Sequence, residues 1–295
     1  MNPGEDMGAL SAPDWFRHAI TQQSQTHWVP VDGIVIEARS WGDVDAPGLM
    51  LLHGNGAHLG WWSFLAPFFA SDHRVVTFSL SGMGGSGWRD SYSIGQFTRE
   101  IWAVAETTGI ARQDDPPVIV GHSLGGMPAL RAAASRAGSI RAVILVDVAL
   151  PGLGIGAPAP YRGHRIYPSA EAALSRFRLI PPQPCANDWL LDYLGTMAMK
   201  EVPGQGWTWR FDPRLWESLS IGDPWRDLVD AAAPIAVVTG MLSNLTGPAL
   251  IQHMRALLPS SAPFVAIPEA GHHVMADQPL ALVSALRALL AGWVR

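Results

Sequence analysis

The sequence is poor in the features that mark secreted or membrane-spanning chains. Its 295 residues include one cysteine, Cys185, which excludes an internal disulfide and gives no reason to expect an oxidising compartment. No window reaches the roughly 18 uncharged apolar residues of a membrane-spanning helix. The N-terminus carries Glu5 and Asp6 and lacks the long apolar run of a signal peptide. We therefore expect a soluble, cytoplasmic protein.

Charged residues are also scarce, at 15% of the chain, and the formal net charge is −5. This balance gives no electrostatic reason to expect a nucleic-acid partner, and the basic residues are too scattered to form a membrane-binding patch. Apolar residues make up 48%, enough for one large domain with an insertion or for two small domains. The expected partner is a small-molecule substrate, bound by a monomer or a homodimer.

Short, continuous apolar runs alternate with helical segments through most of the chain. Strands are predicted at 28–31, 34–38, 48–52, 74–80, 117–121, 141–147, 235–239 and 264–267. The dipeptide Asp32-Gly33 marks a hairpin between the first two. Apolar runs of this kind are typical of a parallel sheet that is buried on both faces. The prediction is an α/β fold with a mostly parallel sheet covered by helices on both faces.

Residues 151–222 do not show this alternation of apolar strands and helices. The segment begins rich in proline and glycine, then holds two helix-like stretches, 170–178 and 188–199, and an aromatic cluster over 207–216. We predict a mainly helical cap, or lid, inserted into a core formed by residues 1–150 and 223–295. Thirteen tryptophans are present, and most are expected to pack inside the core or the cap.

The strongest chemical signal is the sequence Gly-His-Ser-Leu-Gly at 121–125, a G-x-S-x-G pattern between a β-branched strand and an alanine-rich helix. A chain that turns from strand to helix within two residues forces Ser123 into a strained conformation and lifts its hydroxyl above the sheet. The flanking glycines remove side chains that would collide at the turn. Ser123 is therefore the predicted nucleophile; the alternative is a glycine-rich turn that happens to contain serine.

A second run, His-Gly-Asn-Gly at 53–56, follows a buried strand. A loop of this kind can present the backbone N–H of Asn55, together with that of Leu124, to an oxyanion that develops during acyl transfer. The alternative is an ordinary tight turn. His53 itself is expected to be structural, with its side chain hydrogen-bonded to the loop.

A third run, Gly-His-His at 271–273, lies between a predicted strand and a predicted helix. His272 directly follows the glycine and is the predicted base for Ser123, because imidazole titrates near neutral pH. His273 is expected to be a packing or pocket residue. No metal site is expected, because adjacent histidines on one backbone rarely converge and the sequence shows no third ligand.

These motifs, in the order oxyanion loop, serine turn and histidine, resemble the α/β-hydrolase fold superfamily over residues 28–150 and 225–295. The resemblance usually implies an aspartate after the strand 235–239, but residues 240–246 contain no carboxylate. Some members carry their acid after the preceding core strand, and on that pattern the acid is Asp147.

Two alternatives to Asp147 stay open at this point. Asn244 or Ser243 can orient the histidine by hydrogen bonds in a dyad, or Glu269 can serve as the acid. A triad needs an anion to orient the histidine and to stabilise the imidazolium. For this reason Asp147 is the preferred prediction.

A serine nucleophile suits attack on a carbonyl and formation of an acyl-enzyme. The resemblance therefore implies a carboxylic-ester hydrolase acting on a small or medium apolar substrate. The alternatives are a lactonase or carbon–carbon bond hydrolase, a non-catalytic ligand-binding member, and a cofactor-free dioxygenase or lyase. No cofactor is predicted, since the loop 81–87 lacks the features of a nucleotide-binding motif. Candidate pocket residues are Trp61, Trp62, His122, Trp189, Trp207 and Trp209.

Overall fold

The computed structural model describes residues 12–152, 163 and 165–293. Its strands are β1 (Gln25–Val31), β2 (Ile34–Trp41), β3 (Gly48–Leu52), β4 (Arg74–Phe78), β5 (Tyr92–Ser93), β6 (Val118–His122), β7 (Ala142–Val146), β8 (Met199–Val202), β9 (Gly206–Trp209), β10 (Leu219–Ser220), β11 (Ile235–Gly240) and β12 (Phe264–Ile267). Its α-helices are α1 (Asp14–Ile20), α2 (Gly60–Ser63), α3 (Ile94–Thr108), α4 (Gly126–Ser135), α5 (Ala170–Leu174), α6 (Asp188–Met197), α7 (Leu215–Ser218), α8 (Pro224–Asp230), α9 (Pro248–Leu257), α10 (Val274–Asp277) and α11 (Pro279–Ala291).

Eight strands form one sheet in the order β1-β2-β4-β3-β6-β7-β11-β12. The pairs β1–β2 and β2–β4 are antiparallel, and the other pairs in this sheet are parallel. Asp32 and Gly33 have positive φ values of 48° and 82°, as a tight two-residue hairpin between β1 and β2 requires. The predicted mostly parallel sheet is confirmed.

The sheet is buried on both faces because its strands alternate between two cores. In β3, Met50 and Leu52 belong to one core, while Leu49 and Leu51 belong to the other, and all four side chains are fully buried. Residues of α3, α4, α8 and α9 complete the first core, and residues of α1, α2, α10 and α11 complete the second. The alternation of side chains along a strand therefore produces the predicted helical layers on both faces.

The segment between β7 and β11 lies outside this sheet. Its described residues form α5 to α8, the antiparallel hairpin β8–β9, and β10, which pairs in parallel with β5. The helix-like stretches predicted at 170–178 and 188–199 correspond to α5 and α6, but the hairpin was not predicted. Trp209 and Met199 of the hairpin form a small core of their own with Ala173 and Ala198.

Candidate active site

Five parallel strands bring distant parts of the sequence to one edge of the sheet. Ser123 directly follows β6 and Asp147 directly follows β7, while His272 lies five residues after β12. The strands β3, β6, β7, β11 and β12 are consecutive neighbours with the same direction, so their carboxyl ends meet at that edge. Ligand sites of open α/β sheets form at such an edge.

Ser123 occupies the strained turn that its sequence context predicts. Its φ is 51°, in the left-handed region that non-glycine residues rarely adopt. Gly121 is required at this turn, because a Cβ there would lie 2.6 Å from the carbonyl oxygen of Gly125 and from the Cα of Gly126. The close packing of the strand against the following helix therefore requires glycine at position 121.

Ser123, His272 and Asp147 form a continuous hydrogen-bonded chain. The Nε2 atom of His272 lies 3.0 Å from Ser123 Oγ, and Nδ1 lies 2.8 Å from Asp147 Oδ1. A carboxylate can only accept, so Nδ1 carries the proton and Nε2 presents its lone pair to the serine hydroxyl. This is the tautomer that a general base needs.

Asp147 is fully buried, and its φ of 47° is also left-handed. Besides His272, three groups donate to its carboxylate: the hydroxyl of Ser243 to Oδ1 at 2.6 Å, and the backbone N–H of Gly240 and the hydroxyl of Thr246 to Oδ2 at 2.9 and 2.8 Å. These donors come from β11 and the loop after it. Their hydrogen bonds offset the free-energy cost of burying the carboxylate.

The alternatives to Asp147 do not occupy this position. Asn244 and Glu269 are exposed, and Ser243 donates to the aspartate rather than to the histidine. The sequence allows Ser243 to orient His272 directly, whereas in the structure Ser243 bonds to Asp147, which in turn bonds to His272. Gly240 and Thr246 were not singled out, because their contacts depend on the path of a loop that carries no distinctive motif.

The loop after β3 packs directly against the serine turn. A Cβ on Gly54 would lie 3.0 Å from Ser123 Cβ, so this glycine allows the loop to approach the nucleophile. The fully buried His53 donates from Nδ1 to the carbonyl oxygen of Gly54 at 2.7 Å and accepts the N–H of Leu80 at Nε2, 3.0 Å away. Because the peptide is planar, fixing the Gly54 carbonyl also fixes the direction of the Asn55 N–H. Burial lowers the pKa of His53 to about 4.

Hydrogen bonds to Asp277 and Gln183 hold the loop that carries His272. Asp277 accepts the backbone N–H of Gly271 at 2.7 Å and the side-chain amide of Gln183 at 2.6 Å. The same Gln183 accepts the backbone N–H of His273 at 2.9 Å. Gln183 lies in the segment between β7 and β11, so this segment contacts the histidine loop directly. Sequence reasoning missed Gln183 and Asp277, which no motif marks.

Three histidines converge beside the nucleophile. One ring nitrogen each from His122, His272 and His273 lie within 4.8 Å of one another, and the three residues are 2%, 4% and 5% exposed. This corrects the expectation that the pair at 272–273 has no third potential ligand, since the turn at Ser123 brings His122 alongside. Burial and the neighbouring histidines lower the pKa of His122 well below its usual value, and burial lowers that of His273 to about 3.

The tryptophans named from sequence lie in three places. Trp61 is buried in α2, with its ring centroid 5.0 Å from that of His273. Trp62, in the same helix, is fully buried in the second core. The other three pack at the second core or in the small core around the hairpin: Trp189, Trp207 and Trp209. Their predicted contact with a substrate stays a prediction.

A profile of the alpha/beta hydrolase family matches residues 49–286. The chain belongs to the alpha/beta hydrolase family. Within the described ranges, no helix has the length and apolar character needed to cross a bilayer.

Relatives within the family include esterases. Esterase Rv0045c of Mycobacterium tuberculosis is 26% identical over 270 residues, covering 86% of each chain. The pimeloyl-acyl-carrier-protein methyl ester esterase of Methylococcus capsulatus is 33% identical over 114 residues, covering 39% of this chain and 40% of the relative. Among solved structures, the thioesterase domain from the curacin biosynthetic pathway superposes with a TM-score of 0.74 at 25% identity, covering 90% of this chain and all of that domain.

Proposed function

We propose that this protein is a serine hydrolase that cleaves a carboxylic ester of a small to medium apolar substrate through an acyl-enzyme. The observation that carries the proposal is the hydrogen-bonded chain from Ser123 through His272 to Asp147, at 3.0 and 2.8 Å. The esterases among its relatives support the same bond type.

In the first half of the reaction, His272 Nε2 takes the proton of Ser123 as Oγ attacks the ester carbonyl. The new C–O bond converts the carbonyl oxygen to an oxyanion. When the tetrahedral intermediate collapses, the imidazolium returns the proton to the leaving alkoxide, which departs as an alcohol. The acyl group remains on Oγ as an ester.

In the second half, water takes the place of the alcohol. His272 accepts a proton from water as the water oxygen attacks the acyl carbon, and collapse of the second intermediate returns that proton to Ser123 Oγ. The products are a carboxylic acid and the free enzyme. Asp147 stays ionised throughout and stabilises the imidazolium that forms twice in each cycle.

The oxyanion is proposed to bind the backbone N–H groups of Asn55 and Leu124. Leu124 directly follows the nucleophile, and the loop with Asn55 packs against Ser123 through Gly54. His53 supports this role because it holds the Gly54 carbonyl at 2.7 Å. A preformed donor of this kind stabilises the transition state by roughly 3–4 kcal/mol.

Residues 151–222, of which 153–162 and 164 lie outside the described residues, are proposed to form a cap over the site, between core parts 1–150 and 223–295. The contact of Gln183 with the histidine loop supports this position. A cap so placed can exclude water and contribute to an apolar pocket. Trp61, beside His273, is the tryptophan best placed to line that pocket near the reacting atoms.

The test is a panel of p-nitrophenyl esters of rising acyl length, assayed beside simple lactones with wild type and Ser123→Ala. The proposal predicts ester hydrolysis that favours short or medium chains and is lost in the variant. Turnover of lactones but not of esters would indicate a lactonase. A folded wild type with no activity on either class would favour a ligand-binding member of the family.

A further inference from the structure

The three clustered histidines have more nitrogen donors than the proposed reaction uses. The ring centroids of His122 and His273 lie 4.8 Å from that of His272 and 5.7 Å from each other. Ester hydrolysis needs one of these rings. The other two rings are at least 95% buried beside it. Polar side chains buried to this degree usually have hydrogen-bond partners for their polar atoms.

Each ring has a nitrogen whose lone pair an ion can take, and in His272 it is the lone pair that accepts from Ser123 Oγ. His272 donates from Nδ1 to Asp147, so Nε2 is the basic nitrogen. His122 donates from Nε2 to the backbone carbonyl of His272 at 3.0 Å, which leaves Nδ1 with a lone pair and no partner in the described residues. His273 has no hydrogen bond at either ring nitrogen within the same part of the chain, although backbone carbonyls of Ile180 and Pro181 lie nearby.

We infer that His122, His272 and His273 form an inhibitory site for one divalent transition-metal ion of the Zn²⁺ type. Three imidazole nitrogens and an open fourth position are a donor set that suits Zn²⁺, whereas Mg²⁺ requires oxygen ligands. The bound ion coordinates the lone pair of His272 Nε2. This nitrogen can then no longer accept the proton of Ser123. No bond of the substrate is broken, and removal of the ion restores the lone pair.

The three nitrogens must move closer together to hold the ion. Zn–N bonds of about 2.0–2.1 Å in a tetrahedral site place the nitrogens about 3.3 Å apart. In the structure the three nitrogens are separated by up to 4.8 Å. His273 is the ring proposed to turn, because within the described residues neither of its nitrogens has a hydrogen bond of full geometry and its nearest acceptors are the backbone carbonyls of Ile180 and Pro181. His272 and His122 are held by Asp147 and by the backbone. Ser123 is partly exposed, so the ion can reach Nε2 by the path that a substrate uses.

The first experiment measures binding alone and is independent of the proposed function. Tag-free wild type, His273→Phe and the surface control His18→Gln are titrated with ZnCl₂ by isothermal titration calorimetry, with MgCl₂ as a second control. We expect one Zn²⁺ per chain for wild type and His18→Gln, no Mg²⁺ binding, and an affinity lowered roughly tenfold or more in His273→Phe. His273→Leu serves in place of the phenylalanine variant if that variant does not fold.

The second experiment measures inhibition, which rests on the proposed function. Each protein is assayed with its best p-nitrophenyl ester over a ZnCl₂ series and compared with its own metal-free rate. We expect inhibition of wild type that a chelator reverses, and a Zn²⁺ inhibition constant at least tenfold higher in His273→Phe. Equal binding and equal inhibition in the two proteins, or no Zn²⁺ binding by wild type, would overturn the inference. Binding without any esterase activity would leave the site intact and contradict the proposed function instead.

Discussion

Ser243 donates its hydroxyl to Asp147 Oδ1 at 2.6 Å, the same carboxylate oxygen that accepts the Nδ1–H of His272 at 2.8 Å. Ser243 lies in the loop after β11, where the family resemblance places an acid, and Asp147 follows the neighbouring strand β7. Because the two strands end side by side, the carboxylate reaches the histidine from the earlier strand. The later loop contributes hydroxyl donors to that carboxylate.

Replacement of Asp147 by asparagine removes the anion while it preserves the shape of the side chain. The amide can donate to Nδ1, which favours the tautomer with Nε2 protonated and unable to accept from Ser123. We predict a loss in kcat of about 10⁴-fold for ester hydrolysis, with circular dichroism unchanged. A variant with near-normal kcat would remove Asp147 from the mechanism.

Ser243→Ala and Thr246→Val each remove one hydroxyl donor from the buried carboxylate. A hydrogen bond to a charged group contributes about 1.5–3 kcal/mol, so we expect kcat to fall roughly tenfold or more in each variant. KM should change little, because neither hydroxyl is proposed to contact the substrate. Asn244→Ala, an exposed change in the same loop, is the matched control and should keep the wild-type kcat. Equal kcat in all four proteins would contradict this role.

The order of strands and helices was predictable because the buried strands are continuous apolar runs. The run predicted at 48–52 is β3, and that at 264–267 is β12. The hairpin β8–β9 was missed because its strands have four residues each and pair only with each other. Short strands of this kind have no periodicity that separates them from loop.

The site was predictable where a motif fixes the backbone. The turn at Ser123 and the histidine after Gly271 are defined by local sequence, and their side chains meet in the structure at 3.0 Å. Thr246 and Gln183 were not predictable, because each reaches the site across a loop from a distant part of the chain. Convergence of His122 with the other histidines likewise depends on tertiary packing and not on spacing in the sequence.

Gly54→Ala tests the contact between the oxyanion loop and the nucleophile. The added Cβ would lie 3.0 Å from Ser123 Cβ and from His122 Nδ1, so the loop and the serine turn must separate by a few tenths of an ångström. We predict a fall in kcat of roughly tenfold from this misplacement, since a shift of about 1 Å can cost about a hundredfold. Gly95→Ala is the control, because the Cβ there has 3.9 Å to its nearest neighbour. Matching rates in the two variants would argue against a role of this loop in catalysis.

The buried His53 makes stability depend on pH. Burial lowers its folded-state pKa from 6.5 to about 4, so protons bind the unfolded chain preferentially as the pH falls from about 6.5 towards 4. The stabilising effect is complete above pH 6.5 and is lost on acidification, with a decrease of about 2 kcal/mol in the free energy of unfolding between pH 7.5 and 5. Urea unfolding at both pH values checks this.

The comparison protein for that measurement is His53→Gln, which has no titrating group at this position. His53 is largely neutral in the folded protein at pH 5, so its repulsion of His58 and His122 adds little in this interval. The variant should therefore lose about 2 kcal/mol less than wild type over the same interval. The same pH dependence in both would show that His53 is not the group that resists protonation.

The central claim is that Ser123 is a nucleophile activated by His272, and covalent labelling tests it most directly. Wild type, Ser123→Ala and His272→Ala are incubated with a fluorophosphonate, digested and examined by mass spectrometry. We predict one adduct on the peptide that contains Ser123, formed rapidly in wild type, absent in Ser123→Ala and slowed at least a hundredfold in His272→Ala. Folded wild type without an adduct, or an adduct on another residue, would contradict the claim.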